Sequence, residues 1–281
     1  MTPLIVAATP IGNPLDASAR LKEAIASADL IAAEDSRKFA RLAADLEVRY
    51  SGKVLSFFEA NEGARIEGLI ERIIAGEKVL LVSDAGIPAI SDPGYRLISE
   101  CINRNLDVIV LPGPSSILTA LIHSGFSSHS FLFEGFVPRT SGARNAFYSR
   151  LSEEARTTIV FESPHRVRAS LQAALEIITD SRDVVLCREL TKKYEEVVRG
   201  SLTELLEWAK SREESEGIKG ELTLVFGPIK RLEKISPEDV ISRVSELMAQ
   251  GRSTRDAVSQ VSQELSLAKR YVYDLVISSK E

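Results

Sequence analysis

The sequence predicts an α/β protein built as two α/β domains followed by a small helical C-terminal extension. Three observations carry that prediction. Short apolar runs alternate with helix-period segments across most of the chain and are joined by short turns. The run Val79-Leu80-Leu81-Val82 is apolar without alternation, as expected of a strand buried on both faces of a parallel sheet. From Ile235 onward only helical periods remain. A chain of 281 residues also exceeds the usual single domain.

In order, residues 4–8 form a first strand that ends at Thr9-Pro10-Ile11-Gly12-Asn13-Pro14. A helix at 20–28 leads to a strand at 30–33, which ends in Glu34-Asp35-Ser36-Arg37. A third strand at 54–57 precedes Glu59-Ala60-Asn61-Glu62, and a helix at 66–74 leads into the strand at 79–82. That strand stops at Ser83-Asp84-Ala85-Gly86, and Asp92-Pro93-Gly94 then opens a helix, with Asp92 suited to its N-cap and Pro93 to its first turn. A fifth strand at 107–111 ends in Pro112-Gly113-Pro114-Ser115-Ser116. Every polar cluster thus follows a strand directly, where a parallel sheet collects ligands.

The pattern restarts with a helix at 116–123, capped by Ser115 or Ser116. Strands at 131–134, 157–161, 184–188 and 221–226 alternate with helices near 142–151, 165–178 and 202–211, which suggests a mixed sheet. His165 reads as a cap for the helix after Pro164, and the polar segment 211–220 reads as a mobile loop. Domain boundaries follow at 1–113, 114–230 and 231–281, with Gly113-Pro114 as the hinge. In the extension, Ser236-Pro237-Glu238-Asp239, the Ser-x-x-Asp box at Ser253 and Ser266 start three helices with a helix-turn-helix flavour. Lys269, Arg270, Tyr271 and Tyr273 make a basic-aromatic face there, suited to nucleic acid or simply solvated.

Composition narrows the function. The net charge of −5 gives no global pull toward nucleic acid, so such contact needs a local basic patch. Cys101 and Cys187 lie far apart beside apolar residues and read as buried reduced thiols, in keeping with a cytoplasmic location. Three histidines without ligand spacing and dispersed acids offer no metal site. The start MTPLIVAATP lacks a signal-peptide pattern, and no apolar run is long enough for a membrane span.

Three strand ends, at Thr9–Asn13, Ser83–Gly86 and Pro112–Ser116, bring small residues and prolines that admit a ligand close to the backbone. They lack a Lys/Arg cradle for polyphosphate, so a nucleoside-type ligand fits better. Asp84 is placed to meet a ribose hydroxyl or, alternatively, to brace its own turn.

The segments AATPIGN, AEDSR, VSDAGIPAISDPGY, LPGPSS, FLFEGFVPR, ESPHR, CRELTKKYEEVVRG and KGELTLV occur in order between about Leu4 and Gly227. Through them the chain resembles the bacterial small-subunit rRNA 2′-O-ribose cytidine methyltransferases, a family of the tetrapyrrole-methylase fold. The resemblance implies a homodimer with S-adenosylmethionine bound between the α/β domains, acting on a decoding-centre cytidine of 16S rRNA or of the assembled small ribosomal subunit. It assigns cofactor binding to Thr9, Pro10, Asp84, Ala85, Gly86, Ile87, Ser115, Ser116, Ile117, Phe161, Glu162, Ser163, Gly220, Glu221, Leu222 and Thr223, and more loosely to Leu190. One departure is Phe58, where relatives often carry histidine.

A ribose hydroxyl needs a base as its proton leaves, and Glu34, Asp35, Glu59 and Glu189 flank the expected crevice, with Asp35 and Glu59 ranked first as catalytic residues. Arg37, Arg139, Arg166, Arg188, Lys192, Lys193, Lys269 and Arg270 are the expected RNA contacts, or else solvated surface charges. Two rivals use the same residues differently. A methyltransferase of the same fold could act on a tetrapyrrole or a protein side chain, and a non-catalytic RNA-binding protein would leave the crevice empty.

Overall fold

The structure is a computed structural model that describes residues 2–229, 237–264 and 269–278. It divides into two compact units, Met1–Ile229 and Lys230–Glu281. The first sheet consists of β1 (Leu4–Ala7), β2 (Leu30–Ala33), β3 (Lys53–Ser56), β4 (Val79–Val82) and β5 (Val108–Leu111), in the order β3-β2-β4-β1-β5 and parallel throughout. Helices α1 (Ala19–Ser27) and α2 (Ser36–Asp45) contribute to one of its faces, α3 (Glu59–Ile74) and α4 (Tyr95–Asn103) to the other.

Strand pleating explains the continuous apolar runs. Val79 and Leu81 join Leu69, Ile70, Ile73 and Leu97, while Leu80 and Val82 join Leu21, Ile25 and Phe39. Both faces of β4 are therefore core, as expected of a parallel sheet covered on both sides. The shared strand direction puts all five carboxyl ends on one edge, which gathers the polar clusters after residues 7, 33, 56, 82 and 111.

Helix α5 (Ser116–Ser124) opens the second half and packs on a sheet made of β6 (Phe131–Phe136), β7 (Thr157–Glu162), β8 (Asp183–Arg188), β9 (Glu196–Ser201) and β10 (Leu222–Phe226). Its order is β6-β7-β10-β8-β9, with only β6 and β7 parallel, so the sheet is mixed. Helices α6 (Ser141–Glu153), α7 (Val167–Ile178) and α8 (Leu202–Ser215) cover its outer face. The inner face buries Ala120 and Leu121 of α5 with Val185, Cys187 and Val225, and it also takes in Ile11 from the loop after β1.

The two halves interlock where that loop meets residues 190–192. The Asn13 N–H donates to Thr191 Oγ1 at 3.1 Å. Gly12 sits so close that an added Cβ would stand 2.4 Å from Lys192 Cγ and 2.9 Å from the Leu190 carbonyl oxygen.

Several sequence expectations change. Asp92 is not an N-cap: Gly94 occupies that position at φ +128°, with α4 starting at Tyr95. His165 does not cap α7 either, since the helix begins at Val167 with Arg166 as the preceding residue. The segment 211–220 is partly helical, because α8 runs on to Ser215. Arg212 there bonds Glu196, and Gly217 at φ +74° closes the helix with its N–H on the Arg212 carbonyl at 2.8 Å. Two elements lack a counterpart in the sequence reading, α2 and β9.

The second unit holds α9 (Pro237–Ala249), α10 (Thr254–Glu264) and α11 (Lys269–Ser278), each packed on the other two around Val240, Val244, Val258, Val261 and Val272. Ser253 caps α10 by accepting the Asp256 N–H at 3.2 Å. The expected caps Ser236 and Ser266 lie outside the described residues. No described helix is long and apolar enough to cross a membrane.

Candidate active site

A cavity of about 640 Å³ opens between the carboxyl edge of the first sheet and the second sheet. Each wall follows from a local sequence feature. Antiparallel pairing of Thr9 with Gly86 folds the turn after β4 back on the loop after β1, and Gly86 accepts the needed φ of +80°. Ser115 caps α5 by accepting the Leu118 N–H, which brings 115–118 to the rim. On the opposite side Phe161 meets Phe133 and Phe136 edge-on, with ring centroids 4.9 and 5.4 Å apart. A bulge between Phe133 and Phe136, with Gly135 at φ +67°, aims the second ring at the cavity.

The sequence-derived residues 84–87, 115–117, 161–163 and 220–223 all line this cavity. Thr9, Pro10 and Leu190 do not. Thr9 is fully buried behind the wall, with its hydroxyl on the Ser83 carbonyl at 3.3 Å, Pro10 is buried beside it, and Leu190 lies in the apolar cluster with Ile11. Neither Asp35 nor Glu59 lines the cavity. Asp35 caps α2 through the Arg37 N–H at 2.8 Å, and its bonds to Arg37 hold its carboxyl down to about 2. Glu59 starts α3 as an exposed residue.

The cavity instead collects Glu34, Lys38 and Asp92 beside Asp84. Lys38 Nζ pairs with Asp84 Oδ2 at 2.8 Å, and Asp84 Oδ1 accepts the Asp35 N–H at 3.1 Å. The Asp84 N–H in turn reaches Glu34 Oε2 at 3.1 Å. Burial raises the Glu34 carboxyl above its ordinary value, against the pull of the Asp84 N–H. Lys38, Phe133 and Phe136 were missed by the sequence reading. The aromatic spacing in Phe131-Leu-Phe133-Glu-Gly135-Phe136 signals one wall, and a helix capped by Asp35 would have placed Lys38 one turn from Glu34.

Of the expected RNA contacts, Arg37 and Arg139 are exposed, and Lys193 is exposed with its ammonium over the Tyr194 ring at 5.4 Å. Four are engaged within the chain: the exposed Arg37 with Asp35 at 2.9 Å, Arg166 with Glu162 at 2.7 Å, Arg188 with Glu196 at 2.9 Å, and Lys192 with Glu189 at 2.8 Å. Lys269 and Arg270 stand exposed at the start of α11, in the second unit.

Sequence comparison supplies the class: residues 3–206 match the family Tetrapyrrole (Corrin/Porphyrin) Methylases, to which this chain belongs. Two similar solved structures are the methyltransferase CobJ, with a TM-score of 0.62 at 16% identity over 81% of this chain and 95% of that one, and uroporphyrin-III-C-methyltransferase from Thermus thermophilus, with a TM-score of 0.56 at 16% identity over 80% and 93%. At that identity they speak for the fold alone. Among curated relatives, a Mycobacterium bovis protein named Ribosomal RNA small subunit methyltransferase I is 45% identical over 99% of this chain and 95% of its own length. The Halalkalibacterium halodurans protein of the same name is 38% identical over 97% and 93%.

Proposed function

We propose that this chain uses S-adenosylmethionine to methylate small-subunit rRNA, at the ribose 2′-hydroxyl of a decoding-centre cytidine. The carrying observation is the 45% identity, over nearly the full length of both chains, to a protein named for that class of reaction. The cavity fits the cofactor's chemistry. Phe131, Phe133 and Phe161 offer apolar faces for adenine, and Glu34, Asp84 and Glu221 set negative charge where a sulfonium cation is favoured. The cofactor supplies an activated methyl group with a neutral thioether as leaving group. The protein's own task is then alignment of the acceptor oxygen and removal of its proton.

Substrate contact falls to the exposed cations Arg37, Arg139 and Lys193 near the sheets and to Lys269 and Arg270 of the helical unit, which attract phosphate without reading sequence. Arg166, Arg188 and Lys192 belong to the same set once their carboxylate partners exchange for phosphate. A homodimer is part of this reading. Edge strand β5 leaves Ile109 and Val110 41% and 55% exposed, and α5 leaves Leu118 and Ile122 52% and 75% exposed, an apolar surface that a second copy would cover. The expected location is the cytoplasm, where the small subunit is assembled.

Ribosomal RNA from cells lacking the gene tests the assignment. Nucleoside mass spectrometry is expected to show loss of 2′-O-methylcytidine from the small-subunit rRNA, with restoration on complementation. Unchanged ribose methylation would overturn it.

A further inference from the structure

The fold turns into the cavity a carboxyl group that its sequence context places at a helix end. Asp92 lies in the 85–94 loop, where Ala89, Ser91 and Gly94 have φ of +70°, +63° and +128°. Two non-glycine residues in the left-handed region, two positions apart, are a strained arrangement that persists only when its surroundings impose it. Here they do. Buried Glu62 of α3 accepts the Gly94 N–H at 3.1 Å, and the Ala89 N–H reaches the Pro93 carbonyl at 3.2 Å. Gly94 also packs so tightly that an added Cβ would lie 2.8 Å from Leu81 Cδ2. The outcome is that Asp92 faces the cavity instead of capping α4.

The other carboxylates around the cavity are committed. Asp84 holds Lys38 and the Asp35 N–H, Glu162 holds Arg166 and the Ser163 N–H, and Glu221 pairs with Lys192 at 3.1 Å. Among the described residues Asp92 and Glu34 show no ion pair, and Glu34 already accepts the Asp84 N–H.

We propose that Asp92 is the base that receives the proton of the acceptor hydroxyl during methyl transfer, with Glu34 as the neighbour that tunes it. The proposal rests on the reading of the chain as a hydroxyl methyltransferase. As the new O–C bond forms and the C–S bond breaks with its electron pair left on sulfur, the hydroxyl proton passes to an Asp92 oxygen and then to solvent. The groups facing Asp92 suit that task. Glu34 from the end of β2, Asp84 from the end of β4 and Glu221 from before β10 are negative, Lys38 of α2 is held by Asp84, and Glu62 reaches the loop from α3. Burial first, and then the charge of Glu34, push the Asp92 carboxyl up to about 7, with the neighbouring Ser83 opposing. A base with that affinity is half ionised near neutral pH and still takes a proton readily.

The test pairs Asp92→Asn with Glu34→Gln. Asp92→Asn is expected to lower kcat by roughly 100-fold or more, in the range that general-base removal produces. Its calorimetric affinity for S-adenosylmethionine stays within about twofold of the parent, because the base acts only as the proton leaves. The wild-type rate should rise with pH through a midpoint near 7 to a plateau above it, a limb absent from Asp92→Asn and moved to lower pH in Glu34→Gln. Independently of turnover, carbon NMR of the Asp92 carboxyl in the free protein should show the same midpoint and the same downward move in Glu34→Gln. An Asp92→Asn enzyme with the wild-type rate, or an Asp92 midpoint in the ordinary carboxylate range, overturns the proposal and leaves the rRNA reading standing. A wild-type protein that methylates no RNA hydroxyl overturns both.

Discussion

Arg182→Leu is expected to destabilise the first compact unit by about 3–5 kcal/mol, for the loss of three buried hydrogen bonds donated by a charged group. In a domain of this size that corresponds to a fall in Tm of roughly 10–15 °C. Arg182 sits between α7 and β8 with 0% exposure, yet its bonds run to backbone. Its Nε donates to the Gly227 carbonyl at 2.6 Å, Nη2 to that of Arg156 at 2.9 Å, and Nη1 to that of Leu151. One guanidinium thus ties together the end of α6, the approach to β7 and the exit from β10. Burial lowers its pKa to about 10, only partly offset by Glu154, so the fold does not favour the charge itself. The donors are what matter: leucine would strip the Gly227 carbonyl of its donor, at about 1–3 kcal/mol where water cannot reach, while the Leu151 and Arg156 carbonyls would keep only the Glu154 N–H at 3.1 Å and the Thr158 hydroxyl at 3.4 Å. Arg182→Lys should recover only part of the loss, because an ammonium lacks the planar fork. Thermal and urea unfolding followed by circular dichroism check this, and a Tm for Arg182→Leu within about 2 °C of the parent would contradict it.

Asp84→Ala is expected to weaken S-adenosylmethionine binding by roughly 10- to 100-fold, equivalent to about 1.4–2.8 kcal/mol, with the fold retained. The carboxylate clamps the end of β2 to the turn after β4, through the Asp35 N–H on one oxygen and Lys38 on the other. Without it the Lys38 ammonium is released beside the site of a sulfonium cation, and like charges there oppose binding. The Asp84 backbone N–H that orients Glu34 also loses its support. Calorimetry on the variant, with circular dichroism as the control for folding, gives the answer. Unchanged affinity would remove Asp84 from the site.

Much of this architecture was visible in the residue pattern, and the exceptions share a cause. The strands Leu30–Ala33 and Val79–Val82 were recognisable to the residue, because both faces of a parallel sheet must be apolar. Helix α2 was not, since SRKFARLAAD is mostly solvent-facing and buries only Phe39 and Ala43. Strand β9 hid for a similar reason: at the sheet edge, EVVRGS leaves no residue fully buried. The cavity segments 84–87 and 115–117 could be placed from strand ends and 161–163 and 220–223 from the family resemblance, whereas the direction of a carboxylate could not. Asp35 follows a strand and looks inward on paper, but the first turn of α2 claims it. Asp92 precedes a proline and a helix and looks like a cap, but the left-handed backbone at Ala89 and Ser91 sends it into the cavity. The second reversal depends on φ values that Ala and Ser rarely adopt, so no residue preference announces it.

The proposed reaction is methyl transfer to a ribose hydroxyl of small-subunit rRNA. The most direct measurement incubates the protein and tritiated S-adenosylmethionine with small subunits, or their rRNA, taken from cells lacking the gene. Label is expected in the RNA and, after nuclease digestion, in 2′-O-methylcytidine. Label confined to protein, to a base or to a small molecule would contradict the account.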